Sequence, residues 1–416
     1  MDGKINVGMT LSQRYIRPAQ QQTVYMMVQL RQPKIDLGEE RLPLNVSFVL
    51  DRSGSMHGAK LAYTKRAVNF ALEHLDGGDI ASVVTFDSEV DVLLPAEKVT
   101  QKDAMVQRVN GLYPGGTTNL SGGLLRGAGL VRENVADGLV NRVVLLTDGL
   151  ANEGITAPDR LVSMVKGLRE KQITVSTLGV GSDFQEDLLV EMAEAGNGNF
   201  YFIESPDKIP EIFRDELQGL LSVTGQNLEL SVTPVEHVAV TGILGYEPAW
   251  GPEVKIKLPD MYNGDVKTVL VELQVRPEAE GMMPLCRVSF KYDDVAGDLA
   301  AVKYDIDVTA DVTEDEEQLN AGYSMDVVKE VEIFKTAQVK EEAIKKADSG
   351  DFTVAARMIK LQEEKLQAIF AETQDEDVLE EMERLQESGV MMAENVFDPM
   401  ARKTMKAQSY RSRKKR

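Results

Sequence analysis

The chain is poor in the residues that build sulfur and imidazole chemistry. It has a single cysteine, Cys286, among 416 residues, which excludes an internal disulfide and any multi-cysteine zinc site within one chain. The expectation for that thiol is a structural, partly buried role. The three histidines, His57, His74 and His237, are scattered, and no His-Glu-x-x-His pair occurs, so a hydrolytic metal site of that type is excluded. His57 lies beside the site described below and is expected at its rim. No run of about 18 apolar residues is present. The opening Met1-Asp2-Gly3-Lys4-Ile5-Asn6 lacks the apolar centre of a signal peptide. The chain therefore reads as cytoplasmic, with no transmembrane segment. The one tryptophan, Trp250, follows Pro248 and is expected to plug a core between sheets.

Positive charge is also scarce. Forty-six Lys and Arg face 67 Asp and Glu, for a net charge of −21, which argues against general nucleic-acid binding because a duplex-binding surface must neutralise phosphates. The exception is the end of the chain. Arg402, Lys403, Lys406, Arg411, Arg413, Lys414, Lys415 and Arg416 are eight basic residues with no acidic one among them. Setting these eight aside leaves about −29 on the rest, an acidic body with a short basic tail. The tail shows no apolar period, so residues 397–416 are expected first as a solvated end, with contact to an acidic surface (the protein's own body, a membrane or nucleic acid) as the other reading.

What is present is ordinary globular material: 43% hydrophobic and 27% charged residues, at a length that suggests about two to four domains. Residues 1–40 contain two alternating segments, Ile5 to Leu11 and Thr23 to Leu30. Residues 222–310 carry six more, with regularly spaced turn residues, as in a β-sandwich. Two strands alone do not make a stable domain, so the first segment is expected to pair with the later one. Between them, residues 41–221 alternate strands (45–50, 80–86, 142–147, 173–179, 199–203) with helical patterns, the mark of a mainly parallel sheet covered on both faces. Residues 311–396 have helical spacing, with Val327, Val331 and Phe334 on one stripe. The fold class is thus α/β, a doubly wound, mainly parallel sheet inserted in an antiparallel β-sandwich and followed by a helical region.

Three polar clusters fall at loop positions of the inserted domain. The apolar run Val46-Ser47-Phe48-Val49-Leu50 ends in Asp51-Arg52-Ser53-Gly54-Ser55. A second cluster is Gly115-Gly116-Thr117-Thr118-Asn119-Leu120-Ser121-Gly122-Gly123, opening a helix, and a third is Leu145-Leu146-Thr147-Asp148-Gly149-Leu150-Ala151-Asn152-Glu153-Gly154, closing a strand. Ligands of open α/β sheets bind outside the carboxyl ends of the strands. Oxygen-only donors suit a hard dication, and a small, mostly neutral set fits Mg2+ or Mn2+ better than Ca2+. Ser-Gly-Ser after a strand, taken alone, is also what a tight turn with a helix cap looks like. Agreement of three clusters favours the metal site. The glycine-rich stretch lacks the lysine of a phosphate-binding loop.

Asp51-x-Ser53-x-Ser55, the Gly-Gly-Thr-Thr-Asn-Leu threonine and Thr147-Asp148-Gly149, in this order and on these elements, resemble the von Willebrand factor A domain and its metal-ion-dependent adhesion site. The resemblance covers about residues 41–221. It implies that Ser53, Ser55 and Thr118 bind the ion directly and that Asp51 and Asp148 bind it directly or through water. Thr118 is favoured by counting back from the helix, with the adjacent Thr117 as the other register. The wider arrangement is similar to bacterial A-domain proteins related to inter-α-trypsin inhibitor heavy chains. What the resemblance implies is a non-enzymatic module, in which an Asp or Glu of a partner protein completes the ion's coordination and binding shifts the last helix, 207–221. An accessory subunit of an AAA-type ATPase is a variant of that reading; the chain has no ATP-binding loop of its own. A metal-dependent hydrolase would need a positioned base, and the motifs offer none beyond the metal carboxylates.

Overall fold

A computed structural model describes residues 4–35, 41–136, 138–296, 300–394 and 397–414. Lys415 and Arg416 of the basic end lie outside the described residues. The chain separates into two compact units, one built from the segments up to Ile35 and from Gly225 onward, the other from the chain between.

The first unit begins with strands β1 (Asn6–Leu11), β2 (Tyr15–Ile16) and β3 (Gln22–Arg31). The second unit follows with β4 (Leu44–Asp51), α1 (Ala59–His74), β5 (Ile80–Phe86), β6 (Val90–Lys98), α2 (Lys102–Asn110), α3 (Leu120–Arg132) and β7 (Val140–Thr147). It is completed by α4 (Pro158–Arg169), β8 (Thr174–Val180), α5 (Glu186–Ala195), β9 (Asn197–Ile203) and α6 (Ile209–Leu220). Six strands form one sheet in the order β6-β5-β4-β7-β8-β9, all pairs parallel except β5–β6. The antiparallel edge strand β6 is not foreseen in the sequence, since Pro95 and alternating charges demote it; those features are the ones an edge strand tolerates.

β4 is buried along its whole length, as a central parallel strand covered on both faces must be. Consecutive side chains of a strand point to opposite faces. Phe48 stacks on Phe213 of α6 with ring centroids 6.0 Å apart. Val49, next in the strand, meets α3, where a methyl group added at Gly127 would come within 2.3 Å of the valine Cγ2. Only glycine lets that helix lie so close. Burial of each such side chain is worth about 1.5–3 kcal/mol. From β4 the chain moves outward to β5 and β6, then returns to the other side of β4 as β7. The reversal opens a crevice between the carboxyl ends of β4 and β7.

The first unit resumes with β10 (Val223–Pro234), β11 (Val238–Ile243), β12 (Val254–Lys257), β13 (Met261–Tyr262), β14 (Val266–Val275), β15 (Gly281–Asp294) and β16 (Ala300–Val312). One sheet runs β1-β3-β14-β11 and the other β12-β10-β15-β16-β2. Antiparallel pairing of β3 with β14 runs from Arg31 opposite Val266 to Gln22 opposite Val275, which carries the N-terminal strands into the later sheet. Val24, Met26 and Val28 share one core with Leu230, Val232, Val288 and Phe290 of the other sheet. Cys286 is buried in it. Trp250 is a correction: it is 60% exposed, on the loop between β11 and β12, and plugs no core.

Among the described residues, five helices follow the strands: α7 (Glu316–Ala321), α8 (Met325–Asp348), α9 (Phe352–Thr373), α10 (Glu376–Ala393) and α11 (Pro399–Lys414). Val327, Val331 and Phe334 of α8 pack on Met27 and Leu270 of the sheet β1-β3-β14-β11. At the basic end the solvated reading is corrected, and the other reading, contact with the protein's own acidic surface, is the one the structure shows. This end is the helix α11, with Met405, Ala407 and Tyr410 buried, Arg402 paired with Asp348 at 2.9 Å and Arg413 with Glu341 at 2.8 Å. Acidic partners on α8 supply the order that its own sequence lacks.

Candidate metal centre

β4 and β7 run side by side in register from Leu44 opposite Val140 to Leu50 opposite Leu146. Their carboxyl ends therefore deliver Asp51 and Thr147-Asp148 to one place. Thr147 Oγ1 donates to Asp51 Oδ2 at 2.6 Å, and the Ser53 backbone N–H donates to Asp51 Oδ1 at 2.8 Å. Ser55 Oγ donates to Asp148 Oδ1 at 2.7 Å and lies 3.1 Å from Ser53 Oγ. A methyl group placed on Gly149 would be 3.5 Å from Thr118 Oγ1 and 3.8 Å from Ser55 Oγ, so the threonine hydroxyl faces the same cluster. The five residues expected from the sequence, Asp51, Ser53, Ser55, Thr118 and Asp148, are thus together. Thr117 is not among them: it is exposed, and its hydroxyl donates to Glu153.

The loops that carry these residues are sewn to one another through the backbone. Gly115 N–H donates to Arg52 O at 2.6 Å and Gly54 N–H to Gly116 O at 3.0 Å, while Asn152 N–H reaches Thr118 O at 3.2 Å. Thr118 N–H returns to Asn152 Oδ1 at 2.8 Å. Asp87, just past β5, anchors the glycine-rich loop. Gly116 N–H approaches its Oδ2 at 3.3 Å, Arg52 Nε lies 3.2 Å from the same oxygen, and a Cβ on Gly115 would collide with it at 1.6 Å. A Cβ on Gly116 would in turn meet Ser88 Oγ at 2.2 Å, so the double glycine is there for close approach rather than for flexibility.

Asp51 and Asp148 are both closed to solvent, while Ser53 is 2% exposed. Burial, with a smaller push from the Asp148 charge, raises the Asp51 carboxyl to about 6. Two buried carboxylates beside three hydroxyls form an oxygen-only set with negative charge left over, and that set fits a hard dication. Ser55 is exposed, which gives the cluster an open side; the neighbouring Leu150 is 54% exposed. His57 is also exposed at this rim. Sequence reasoning missed four participants. Thr147 stands inside a motif already singled out, and Asp87 directly follows a strand, so both had a signal. Asn152 lies within the third polar cluster and so had the signal of its place, whereas Lys60 had none; Lys60 Nζ sits 2.5 Å from Asp148 Oδ2.

Comparison with known proteins bears on the domain and fold that carry this cluster. Residues 45–215 match the von Willebrand factor type A domain. The chain is 28% identical to the uncharacterized protein sll0103 of Synechocystis over 71% of its own length and 70% of that protein's. It is 28% identical to YfbK of Escherichia coli over 53% of the chain, spanning 37% of YfbK. The bovine inter-alpha-trypsin inhibitor heavy chain H3 is 30% identical over 38% of the chain, which covers 18% of that protein. Among solved structures, a von Willebrand factor type A protein from Catenulispora acidiphila superposes with a TM-score of 0.73 at 18% identity, over 92% of this chain and 90% of that one. The ArnB paralog VWA2 from Sulfolobus acidocaldarius gives 0.67 at 16% identity, over 98% of both chains. Both structures share the fold along nearly the full chain, and within it residues 45–215 are a von Willebrand factor type A domain.

Proposed function

We propose that Asp51, Ser53, Ser55, Thr118 and Asp148 hold one Mg2+ or Mn2+ ion, and that the chain is a metal-dependent protein-interaction module. A partner protein contributes an Asp or Glu to the ion's open position. The observation that carries this reading is the convergence of three hydroxyls and two buried carboxylates on a cluster with an exposed side at Ser55. The two carboxylates balance a bound dication, and the neighbouring Lys60 ammonium, 2.5 Å from Asp148 Oδ2, leaves one positive charge for an outside carboxylate to neutralise. Thr147 and the Ser53 backbone orient Asp51, and Asn152 fixes the loop that presents Thr118. Leu150 gives the incoming partner an apolar contact at the rim.

Titration calorimetry of the purified full chain tests the reading. One site for Mg2+ or Mn2+ is expected, lost in the Asp51→Ala/Asp148→Ala double variant. The same stoichiometry in that variant overturns the assignment. Circular dichroism accompanies the titration, since the loops stand above a separate core and the variant is expected to keep its fold.

A further inference from the structure

Lys60 stands in the first turn of α1, nine residues after Asp51. Its ammonium lies 2.5 Å from Asp148 Oδ2, with the lysine side chain 23% exposed and the carboxylate closed to solvent. The two oxygens of Asp148 therefore have different neighbours. Oδ1 accepts from Ser55 on the hydroxyl side, and Oδ2 is taken by Lys60. The far wall is Gly181, at the end of β8, where an added Cβ would be 3.8 Å from the ammonium. The lysine is thus confined between β8 and Asp148.

We propose that Lys60 is a tethered counter-charge that sets the cation affinity of the cluster and couples it to an anionic partner group. The inference rests on the metal reading above and concerns a positioning residue, not a ligand. Asp51 and Asp148 bring two negative charges and Lys60 one positive charge, so a dication leaves the cluster net positive. Without Lys60 the same ion would leave it neutral. Like charges gathered on one carboxylate weaken cation binding, by at least about tenfold even at the dielectric of bulk water. The same leftover charge attracts a carboxylate from outside. Lys60 therefore trades affinity for the metal alone against affinity for metal and anion together.

The test counts free Mn2+ by electron paramagnetic resonance on the full chain, with and without acetate as the anionic probe. Lys60→Met removes the charge and keeps the length; Lys60→Arg keeps the charge. Wild type and Lys60→Arg are expected to bind Mn2+ several-fold more tightly when acetate is present. Lys60→Met is expected to bind Mn2+ alone at least about tenfold more tightly than wild type and to ignore acetate. Its melting temperature should be lower than wild type in chelator and should rise further on adding Mn2+, since both carboxylates then await the ion. If Lys60→Met binds Mn2+ no more tightly, or keeps the acetate effect, Lys60 only braces Asp148 and the inference fails. It fails equally if neither Lys60→Met nor Lys60→Gln folds with Mn2+ present, because the ion pair is then structural. A wild type that binds no Mn2+ overturns the metal reading itself, which separates the two failures.

Discussion

Lys340 Nζ lies 2.7 Å from Glu381 Oε1, in a pair that leaves the lysine side chain 0% and the glutamate 3% exposed. It ties α8 to α10, and Ser412 of α11 adds a hydrogen bond to Glu381 Oε2 at 3.0 Å. Burial holds the Lys340 ammonium below its ordinary range, against the pull of Glu381. Breaking a buried pair leaves an uncompensated charge and costs about 3–5 kcal/mol, whereas replacing both partners with apolar groups is often close to neutral. Glu381→Leu is expected to show the larger loss, and Lys340→Met/Glu381→Leu to recover most of it. Urea unfolding of the helical signal by circular dichroism measures both.

The single thiol gives a second test. Burial pushes Cys286 up to about 12, and the ionised form is the one that reacts. The linkage follows from that direction: whatever stability the protonated thiol contributes is present below its ordinary value of 9.0 and is lost as pH rises toward 12. In the native protein at about pH 8 the thiol should not react with an alkylating maleimide, while in denaturant one equivalent should react at once. Labelling is read by intact-mass spectrometry. Prompt native labelling would mean that the strand region around Cys286 opens readily.

How much of this was legible depends on where each element finds its partners. β4 reads directly from the sequence because a central parallel strand is buried on both faces and its apolar run needs no neighbour to explain it. The metal candidates Asp51, Ser53, Ser55, Thr118 and Asp148 were legible because three short motifs fall where strands end. Lys60 was not, since a lysine in a helix that also carries Lys65 and Arg66 looks like any solvated charge until Asp148 is placed beside it. α11 was hidden for a related reason. Its buried stripe runs Met405, Ser409, Ser412, and two of those three are hydroxyls that give no apolar period. Ser409 instead donates to Ala337 O at 3.1 Å, a partner that only the tertiary fold supplies.

Asn152 provides a third test, because it touches no candidate ligand side chain and acts on Thr118 through the backbone at 2.8 Å. Partners that orient ligands typically matter by 10- to 100-fold in metal affinity, as a rough guide. Asn152→Ala is expected to weaken Mn2+ binding by about tenfold with the fold intact. Thr118→Val should weaken it more, and Thr117→Ala should leave it unchanged, as befits an exposed side chain turned to Glu153. Equal effects at Thr117 and Thr118 would overturn the register.

Truncation after Phe397 is the fourth test, and the charge pattern alone points the other way from the structure. A solvated basic tail could be removed without consequence. The helix α11 cannot, since Met405 and Tyr410 are each 3% exposed and burying a side chain of that size contributes about 1.5–3 kcal/mol. Its ion pairs add less: Arg402 and Asp348 are 23% and 40% exposed, and pairs that solvent reaches are worth about 0–1 kcal/mol. Removing residues 398–416 also takes Ser412 from Glu381, so the Lys340 pair loses one of its hydrogen bonds. The truncated chain is expected to lose about 3 kcal/mol or more of helical stability in urea, while Mn2+ binding at the cluster of the other unit stays as in wild type. Arg402→Ala alone should cost no more than about 1 kcal/mol, and raising the salt should not mimic the truncation, because apolar burial, unlike charge pairing, is not screened. A truncated chain with an unchanged urea midpoint would show that α11 contributes nothing to the helical packing.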